Sequence, residues 1–228
     1  KKWSTHFQIT AINQEHQAFP IVNNGVNTLI HNAESNKLSL TNTYFVGRSL
    51  WKGAAVYFNP EIAGGQRLSG SKGVAGFTNG ETFRIGSVAP VLYSARFFLR
   101  QHFPLGQAKE IWAEESVNQV AEKLPSSRIT ISIGKISLAD YFDQNSISHD
   151  PRSQFLNWSL MSNGAWDYAA DTRGYTKGAV IELVQPKWAA RFGAAMVPLK
   201  ANGLELDPHI LKAQAFTFEI ERSWLLHH

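Results

Sequence analysis

Hydrophobic and polar residues alternate along most of the chain, and this period of two is typical of β-strands. Eight segments show it: His6–Gln14, Lys37–Leu50, Ala54–Glu61, Val91–Phe103, Arg128–Ser137, Gly174–Gln185, Trp188–Met196 and a last run that carries Phe216, Phe218, Ile220 and Trp224. One segment differs, because Gln107–Leu124 spaces Ile111, Val117 and Val120 among Glu and Lys residues. The pattern therefore predicts an all-β fold with a short helix in one connection.

Each predicted strand has an apolar face and a polar face. In Val91–Phe103 the apolar face takes Val91, Tyr93, Ala95, Phe97, Leu99 and Phe103, and the polar face takes Ser94, Arg96, Arg100 and His102. The polar faces of later strands carry Glu182, Arg191, Glu219 and Glu221. A soluble β-sandwich with its apolar face inside and a membrane barrel with its apolar face towards lipid both give this pattern. Alternation alone leaves both classes open.

The lengths of strands and connections favour a membrane. Strands of roughly ten residues have the length of transmembrane β-strands. The connections run long, short, long, medium, long, short and medium, as expected when the amino terminus is periplasmic and long extracellular loops alternate with short turns. Aromatic side chains near the short turns resemble an aromatic girdle: Trp51, Phe103, Trp188 and Trp224. Two features depart from this pattern, the predicted helix on the short-turn side and Lys177 on an apolar face.

The longest connection, Leu138–Arg173, is predicted to be the functional element. It is rich in Asp, Asn and Ser, and it holds six aromatic residues: Tyr141, Phe142, Phe155, Trp158, Trp166 and Tyr168. Long connections without secondary structure are usually functional. A mobile loop would not keep six aromatic side chains in water, so we expect this stretch to fold back and pack. A surface Ω-loop packed on its own side chains is the simpler alternative.

Composition and motifs exclude several classes of function. The 228 residues contain no cysteine, so neither a disulfide framework nor a thiolate metal site is expected. A net charge of +4 without a Lys/Arg cluster gives no sign of nucleic acid binding. No apolar run has the length of a transmembrane helix, and no signal peptide is visible. His149-Asp150 could belong to a catalytic dyad but lacks a serine in a nucleophile elbow, and the Gly-rich segment Ser69–Gly73 lacks the spacing of a phosphate-binding P-loop. We therefore expect neither enzymatic activity nor a bound cofactor or metal.

A series of short segments is spread over most of the chain. In order, they are Leu50-Trp51-Lys52-Gly53, Tyr57 to Gly65, Gly76-Phe77 with Asn79-Gly80-Glu81, Arg96 to Gln101, Asp150-Pro151-Arg152 with Gln154-Phe155, Asn163 to Tyr168, and Asp171 to Tyr175. Their order and spacing together resemble the carbohydrate-selective porins of the Gram-negative outer membrane, the OprB-like group. The resemblance implies an antiparallel transmembrane β-barrel of sixteen strands that passes sugars and other small solutes passively.

Two departures from this family change the expected domain. Family members are about twice as long, and an outer-membrane barrel normally ends in a strand with a terminal aromatic, whereas this chain ends Leu225-Leu226-His227-His228. Eight strands suit half of such a barrel, and an open sheet edge is costly in lipid. We therefore expect residues 1–228 to be a single barrel domain that is incomplete at its C-terminus. We expect further residues, or a second chain, to complete the sheet.

The mechanism expected from this interpretation is a constriction formed by residues 138–173, which turn inward against a wall of polar side chains. Sugars have polar edges and apolar faces, so their path needs hydrogen-bonding groups beside aromatic rings, with binding weak enough for release. The residues expected to line it are Arg96, Arg100, Asp150, Arg152, Trp158, Trp166, Asp171, Arg173, Glu219 and Glu221. The expected partners are mono- or oligosaccharides, small solutes and outer-membrane lipid.

Three alternatives stay open at this point. In the first, the loop 138–173 closes over the outer mouth of the pore, and its Arg–Asp pairs only hold it in that position. In the second, the polar strand faces with Arg96 and Arg100, and with Glu219 and Glu221, face water instead of a lumen. In the third, the whole chain is a soluble, secreted or periplasmic β-rich protein of lectin or hydrolytic type, whose aromatic loop stacks on sugar.

Overall fold

The computed structural model describes residues 2–81, 88–164 and 166–223, and it confirms the all-β fold. The strands of this part are β1 Trp3–His16, β2 Glu34–Trp51, β3 Ala54–Gly65, β4 Val91–Pro104, β5 Glu110–Ala113, β6 Glu122–Pro125, β7 Arg128–Ile136, β8 Thr176–Gln185, β9 Trp188–Met196 and β10 Gln214–Arg222. Short helical turns lie in the connections, at Leu68–Ser71, Gly73–Thr78, Leu138–Asp140 and Trp158–Met161. Within these residues no helix is long and apolar enough to span a membrane. Trp224, predicted in the last strand and the girdle, lies outside the described residues.

Eight of the strands form one antiparallel sheet in the order β1-β2-β3-β4-β7-β8-β9-β10. The register places Phe58 opposite Phe97 and Ile181 opposite Phe192. β1 and β10 each pair on one side only, so the described sheet is open and does not close into a barrel. This agrees with the expectation that the eight strands do not close on themselves. What completes the sheet stays a prediction.

The connections at the two ends of the sheet differ greatly in length. At one end, here called the turn end, Lys52–Gly53 joins β2 to β3 and Pro186–Lys187 joins β8 to β9. Gly53 has a φ of +74°, and an added Cβ would lie 2.7 Å from the His102 carbonyl oxygen, so this turn requires glycine. At the other end, the loop end, the connections are long and span residues 17–33, 66–90, 137–175 and 197–213. The predicted alternation of long and short connections is therefore present with one exception, since residues 105–127 form a long connection between β4 and β7 at the turn end.

The segment predicted as a helix is instead a β-hairpin. β5 pairs with β6, and Ile111 lies opposite Leu124. The tip of the hairpin, Ser116–Gln119, is held by two backbone hydrogen bonds between its end residues, at 3.1 and 3.0 Å. The helical spacing misled the prediction because Val120 is buried by a distant contact: its N–H donates to the Tyr57 hydroxyl at 3.3 Å.

The two faces of the sheet are reversed relative to those of a soluble protein. On the outer face, large apolar side chains along the strands are exposed: Phe7, Ile9, Leu38, Tyr44, Phe58, Ile62, Leu92, Phe97, Ile133, Ile181, Phe192, Phe216, Phe218 and Ile220. Phe218, for example, is 66% exposed. On the opposite, inner face many of the buried residues are polar or charged: Ser39, Thr41, Thr43, Asn59, Glu61, His102, Thr130, Ser132 and Thr176.

Aromatic side chains lie on the outer face at the turn end. Trp51, Phe103 and Trp188 are exposed there, as predicted, and Trp3 joins them. Lys177, the exception on an apolar face, is the second residue of β8 and therefore lies beside the loop end. Both observations fit a sheet whose middle is apolar and whose two ends are polar or aromatic.

A β-bulge in β4 changes the faces predicted for that strand. The register with β3 skips Ala95, which is the additional residue of the bulge. Tyr93 consequently lies opposite Glu61 on the inner face, and its hydroxyl donates to the Glu61 carboxylate. The prediction that Tyr93 shares the apolar face with Phe97 is wrong, because a bulge shifts the period by one residue and alternation does not reveal it.

Residues 137–175 fold back onto the inner face of the sheet. They bring Leu138, Tyr141, Phe142 and Ala169 into one buried cluster with strand residues, namely Ala55, Tyr57, Phe98, Ile136, Val180 and Ala195. Gly193 on β9 makes room for this loop, since an added Cβ would lie 2.9 Å from a carbon of the Phe142 ring. The core of the molecule is thus built between the loop and the sheet.

Candidate functional site

A cavity of about 720 Å³ lies on the inner face of the sheet. Strand residues from β1 to β4 form one side of it. The remaining walls come from three connections: Gly80 and Glu81 before β4, the hairpin tip Ser116–Gln119, and the loop 137–175. Five of the predicted site residues line this cavity, namely Arg96, Arg100, Asp150, Arg152 and Arg173.

Arg96 joins β4 to the first turn of the loop 137–175. Its Nε and Nη2 donate to the two carboxylate oxygens of Asp140, each at 2.6 Å. The guanidinium also lies 5.2 Å from the centre of the Tyr175 ring. Two parallel charge-assisted bonds of this kind give geometric specificity as well as energy. The pair neutralises Arg96 and fixes the start of the loop to the wall.

Arg100 has no carboxylate partner in the described part of the chain. Its Nη1 donates to the Asn118 carbonyl oxygen at 3.0 Å, and its Nε donates to Ser132 Oγ at 3.4 Å. Three aromatic rings surround the guanidinium, at 5.2 Å for Tyr57, 5.3 Å for Phe98 and 5.9 Å for Tyr141. Ring faces attract a cation, and Glu122 and Glu182 act on Arg100 at longer range, but no carboxylate of the described residues lies within salt-bridge distance of this largely enclosed guanidinium.

Glu61 of β3 accepts hydrogen bonds from three hydroxyl groups. Thr43 Oγ1 donates to it at 2.5 Å, and the Tyr93 hydroxyl donates to Oε1. The Tyr175 hydroxyl lies 3.4 Å from each carboxylate oxygen. These donors come from two neighbouring strands and from the end of the loop. They occupy the Glu61 oxygens, so few acceptor positions of this carboxylate remain for a solute.

Arg173, near the end of the loop, lies over the Tyr93 ring with its Cζ 3.9 Å from the ring centre. Its Nε has no hydrogen-bond partner among the described residues. No carboxylate of that part of the chain forms a salt bridge with it either. The four cavity arginines therefore divide into two kinds: Arg96 and Arg152 pair with acids, and Arg100 and Arg173 do not.

Glu81 and Asp150 hold Arg152 at the rim of the cavity. Arg152 Nε lies 3.0 Å from Glu81 Oε2, and Nη1 lies 3.2 Å from Asp150 Oδ1. Burial raises the pKa of Glu81 to about 7, although Arg152 acts in the opposite direction. Burial also opposes the ionisation of Asp150, but hydrogen bonds from Ser153 and from Arg152 outweigh it and lower the pKa of Asp150.

Three predicted loop residues lie outside this cavity. Trp158 and Asp171 line a second, smaller cavity of about 460 Å³. Asp171 Oδ1 accepts from the backbone N–H of Arg173 at 2.8 Å and of Tyr175 at 3.1 Å, so this carboxylate shapes the loop. Trp166 packs its ring 5.0 Å from the Tyr168 ring, centre to centre, beside the buried cluster.

Glu219 and Glu221 lie on the inner face of β10, away from the lining of the larger cavity. Arg191 Nη1 donates to Glu219 at 2.7 Å and to Glu221 at 2.9 Å. The same guanidinium donates through Nε to Glu182 at 3.3 Å. One arginine thus connects three carboxylates across β8, β9 and β10.

Several cavity residues were missed by the predictions from sequence. Asp140 and Tyr175 lie in or next to segments that the sequence analysis singled out, but neither was predicted to line the cavity, and the hairpin tip carried no motif. Glu61 had a weak signal, because it shares a strand face with Tyr57 and Asn59. Tyr93 was concealed by the bulge.

Within residues 2–81, 88–164 and 166–223, no group of three or more His, Cys, Asp or Glu side chains is placed to hold a metal ion. A scan against protein-family models, a search of curated proteins and a search of solved structures found no match to this chain. The interpretation of the site therefore depends on its own geometry.

Proposed function

We propose that this chain forms part of the wall of a carbohydrate-selective, OprB-like porin, through which sugars and other small solutes diffuse passively. The observation that carries this proposal is the reversal of the two faces of the sheet. In the described residues, the outer face exposes large apolar side chains along all eight strands, and the inner face buries polar ones. Soluble monomers rarely expose contiguous apolar patches of this kind, whereas a membrane barrel directs such a band towards lipid.

The open edges of the sheet support the same proposal. The outward-facing N–H and C=O groups of β1 and β10 have no partner strand in the described chain. In hydrocarbon, each unsatisfied backbone group costs several kcal/mol, so a membrane form must pair both edges. We propose that further residues of the same protein, or a second chain, add the remaining strands of a sixteen-stranded barrel.

The two ends of the sheet suggest its orientation in a Gram-negative outer membrane. Tight turns and exposed Trp3, Trp51 and Trp188 lie at one end, which we assign to the periplasm. The long connections lie at the other end, which we assign to the cell exterior.

The cavity provides the proposed sugar path. Connections from the loop end and the hairpin tip from the turn end both narrow the space over the inner face. Tyr93 and Tyr168, which are half-buried in the lining, offer ring surfaces beside guanidinium and carboxylate groups. Passage requires binding that is favourable on entry and weak enough for release. Net flow follows the concentration gradient, without a cofactor or an energy source.

Extraction distinguishes this proposal from a soluble lectin-like or hydrolytic protein. The porin should require detergent for extraction, and its folded form should migrate differently from its boiled form in gel electrophoresis. A native protein that remains monodisperse without detergent contradicts the proposal.

Single-channel recordings in planar bilayers test the selective role of the arginines in the protein that contains this chain. Arg100→Ala removes a lumen cation, and Arg96→Ala removes one while releasing Asp140. Both should raise the permeability of cations relative to anions and change the block of current by added sugar. The matched control is Arg48→Ala, because Arg48 lies exposed over Trp3 and does not line the cavity. Unchanged permeability and block in folded variants contradict the role of these arginines.

A further inference from the structure

The charges that line the larger cavity are not paired evenly. Its arginines are Arg96, Arg100, Arg152 and Arg173, and its acids are Glu61, Glu81, Asp140 and Asp150. The numbers of positive and negative side chains are equal, but only two of the four arginines form a salt bridge with an acid. Asp140 is used by one guanidinium, and Glu81 and Asp150 are both used by another. Glu61 receives hydroxyl donors in place of an arginine.

Two guanidiniums are therefore left facing the cavity without an acid in the described residues. Arg100 donates to one carbonyl and one hydroxyl oxygen and is influenced by Glu122 and Glu182 only at longer range, and Arg173 Nε has no hydrogen-bond partner among the described residues. Guanidinium groups present a planar set of donors that matches carboxylate and phosphate oxygens. A largely enclosed cation is stabilised strongly by an anion at hydrogen-bond distance.

A second feature adds to the positive balance at neutral pH. Burial raises the pKa of Glu81 to about 7, so this acid is partly protonated there. The other charged groups around Glu81 are Arg152 and, at longer range, Glu61. Loss of one negative charge at the rim leaves the cavity with an excess of cationic groups.

We infer that this cavity takes acidic sugars, whose carboxylate or phosphate group is bound by Arg100 and Arg173. This inference rests on the proposed function, since it names the class of solute that the porin prefers. The sugar ring would lie against the tyrosine side chains of the cavity, and its anionic group would supply the acidic partner at hydrogen-bond distance that these two arginines do not have among the described residues.

The experiment compares three solutes in planar bilayers: glucose, glucuronate and glucose 6-phosphate, each titrated while current block is recorded. We expect the half-blocking concentration of at least one acidic sugar to be about tenfold below that of glucose, because charge-assisted hydrogen bonds are roughly twice as strong as neutral ones. The two acidic probes decide between a carboxylate and a phosphate preference. Raising the salt concentration should weaken the block by the acidic sugar and leave that by glucose unchanged.

Substitutions of single residues test whether Arg100 and Arg173 bind the acidic group of the sugar. Arg173→Gln and Arg100→Gln should each reduce the advantage of the acidic sugar at least threefold, Arg173→Lys should retain part of it, and Arg48→Gln should leave it unchanged. If glucose blocks as strongly as both acidic sugars, the inference is wrong although the porin proposal stands. If the protein forms no channel at all, the porin proposal itself fails. If a variant does not fold, the three-solute comparison and the salt dependence of the wild type still decide.

Discussion

The side-chain amide of Asn59 on β3 donates to Oδ1 of Asn118 in the hairpin tip at 2.9 Å. Asn118 has a φ of +54°, a left-handed conformation that Asn tolerates better than most residues. Its carbonyl oxygen accepts from Arg100, and the Ser116 carbonyl accepts from Ser4 Oγ at 3.3 Å. The tip is thus fixed to β1, β3 and β4 by its own hydrogen bonds, and it narrows the cavity from the turn end.

Shortening this hairpin should widen the channel. Replacing residues 111–123 by a short Gly-Ser linker removes the tip from the cavity, so we expect a higher single-channel conductance and weaker block by glucose. Deleting residues 22–26, which are exposed and lie outside the cavity lining, is the control. Equal conductance of the two deletion variants would show that the tip does not limit flow.

Asp140→Asn should loosen the loop 137–175. The substitution leaves Arg96 without its counter-charge, and we expect the free energy of unfolding to fall by about 1–3 kcal/mol. The temperature at which the folded band disappears in gel electrophoresis measures this change. Asp167→Asn, an exposed acid of the same loop, should change stability by less than about 0.5 kcal/mol. Similar losses in both variants would assign no special role to the Arg96–Asp140 pair.

Ion selectivity should titrate with Glu81. Because burial raises its pKa from 4.5 to about 7, Glu81 gains its negative charge as the pH rises from about 6 to 8. Cation permeability should increase over that range in reversal-potential measurements, and Glu81→Gln should abolish the increase. Glu205→Gln, at an exposed acid in the connection 197–213, should retain it. If the ion selectivity of the wild type does not change between pH 6 and 8, the prediction for Glu81 is wrong.

The Glu81 carboxyl group also affects the stability of the folded state, and its contribution should decrease as the pH rises. Between about pH 4.5 and 7 the folded state keeps a proton on Glu81 that the unfolded state has released. The folded state therefore binds more protons in this window, and the contribution of Glu81 to stability decreases as the pH rises through it. Glu81→Gln should remove this part of the pH dependence from thermal unfolding curves. A wild-type curve that parallels the variant across the window would contradict the assignment.

A charge on the outer face should be costly if that face contacts lipid. Ile181 lies in the middle of β8 and is 47% exposed. Ile181→Lys should destabilise the protein by about 2–4 kcal/mol in lipid vesicles, as expected near the bilayer midplane. Ile181→Val is the control for side-chain size. In a soluble protein an exposed Ile→Lys change usually stays within about 0.5 kcal/mol, so a small effect would contradict membrane insertion.

The sequence by itself determined the eight strands of the main sheet, most of their faces and most of the alternation of long and short connections. Trp188–Met196 is a strand with the predicted bounds, and its face with Phe192 is apolar as predicted. These features are predictable because a strand places successive side chains on opposite faces, which is a property of neighbouring residues. The errors of face in β4, at Val91, Tyr93 and Ser94, arose where a single bulge residue interrupts that period.

The tertiary structure alone decided what fills the inner face. Glu61 receives hydrogen bonds from Tyr93, 32 residues away, and from Tyr175, 114 residues away. The hairpin 110–125 carries a helical spacing of apolar residues, yet it forms strands because Val120 is buried under Tyr57. Such contacts depend on how two connections close over the sheet. Long-range packing sets that closure, and local preference of the chain does not encode it.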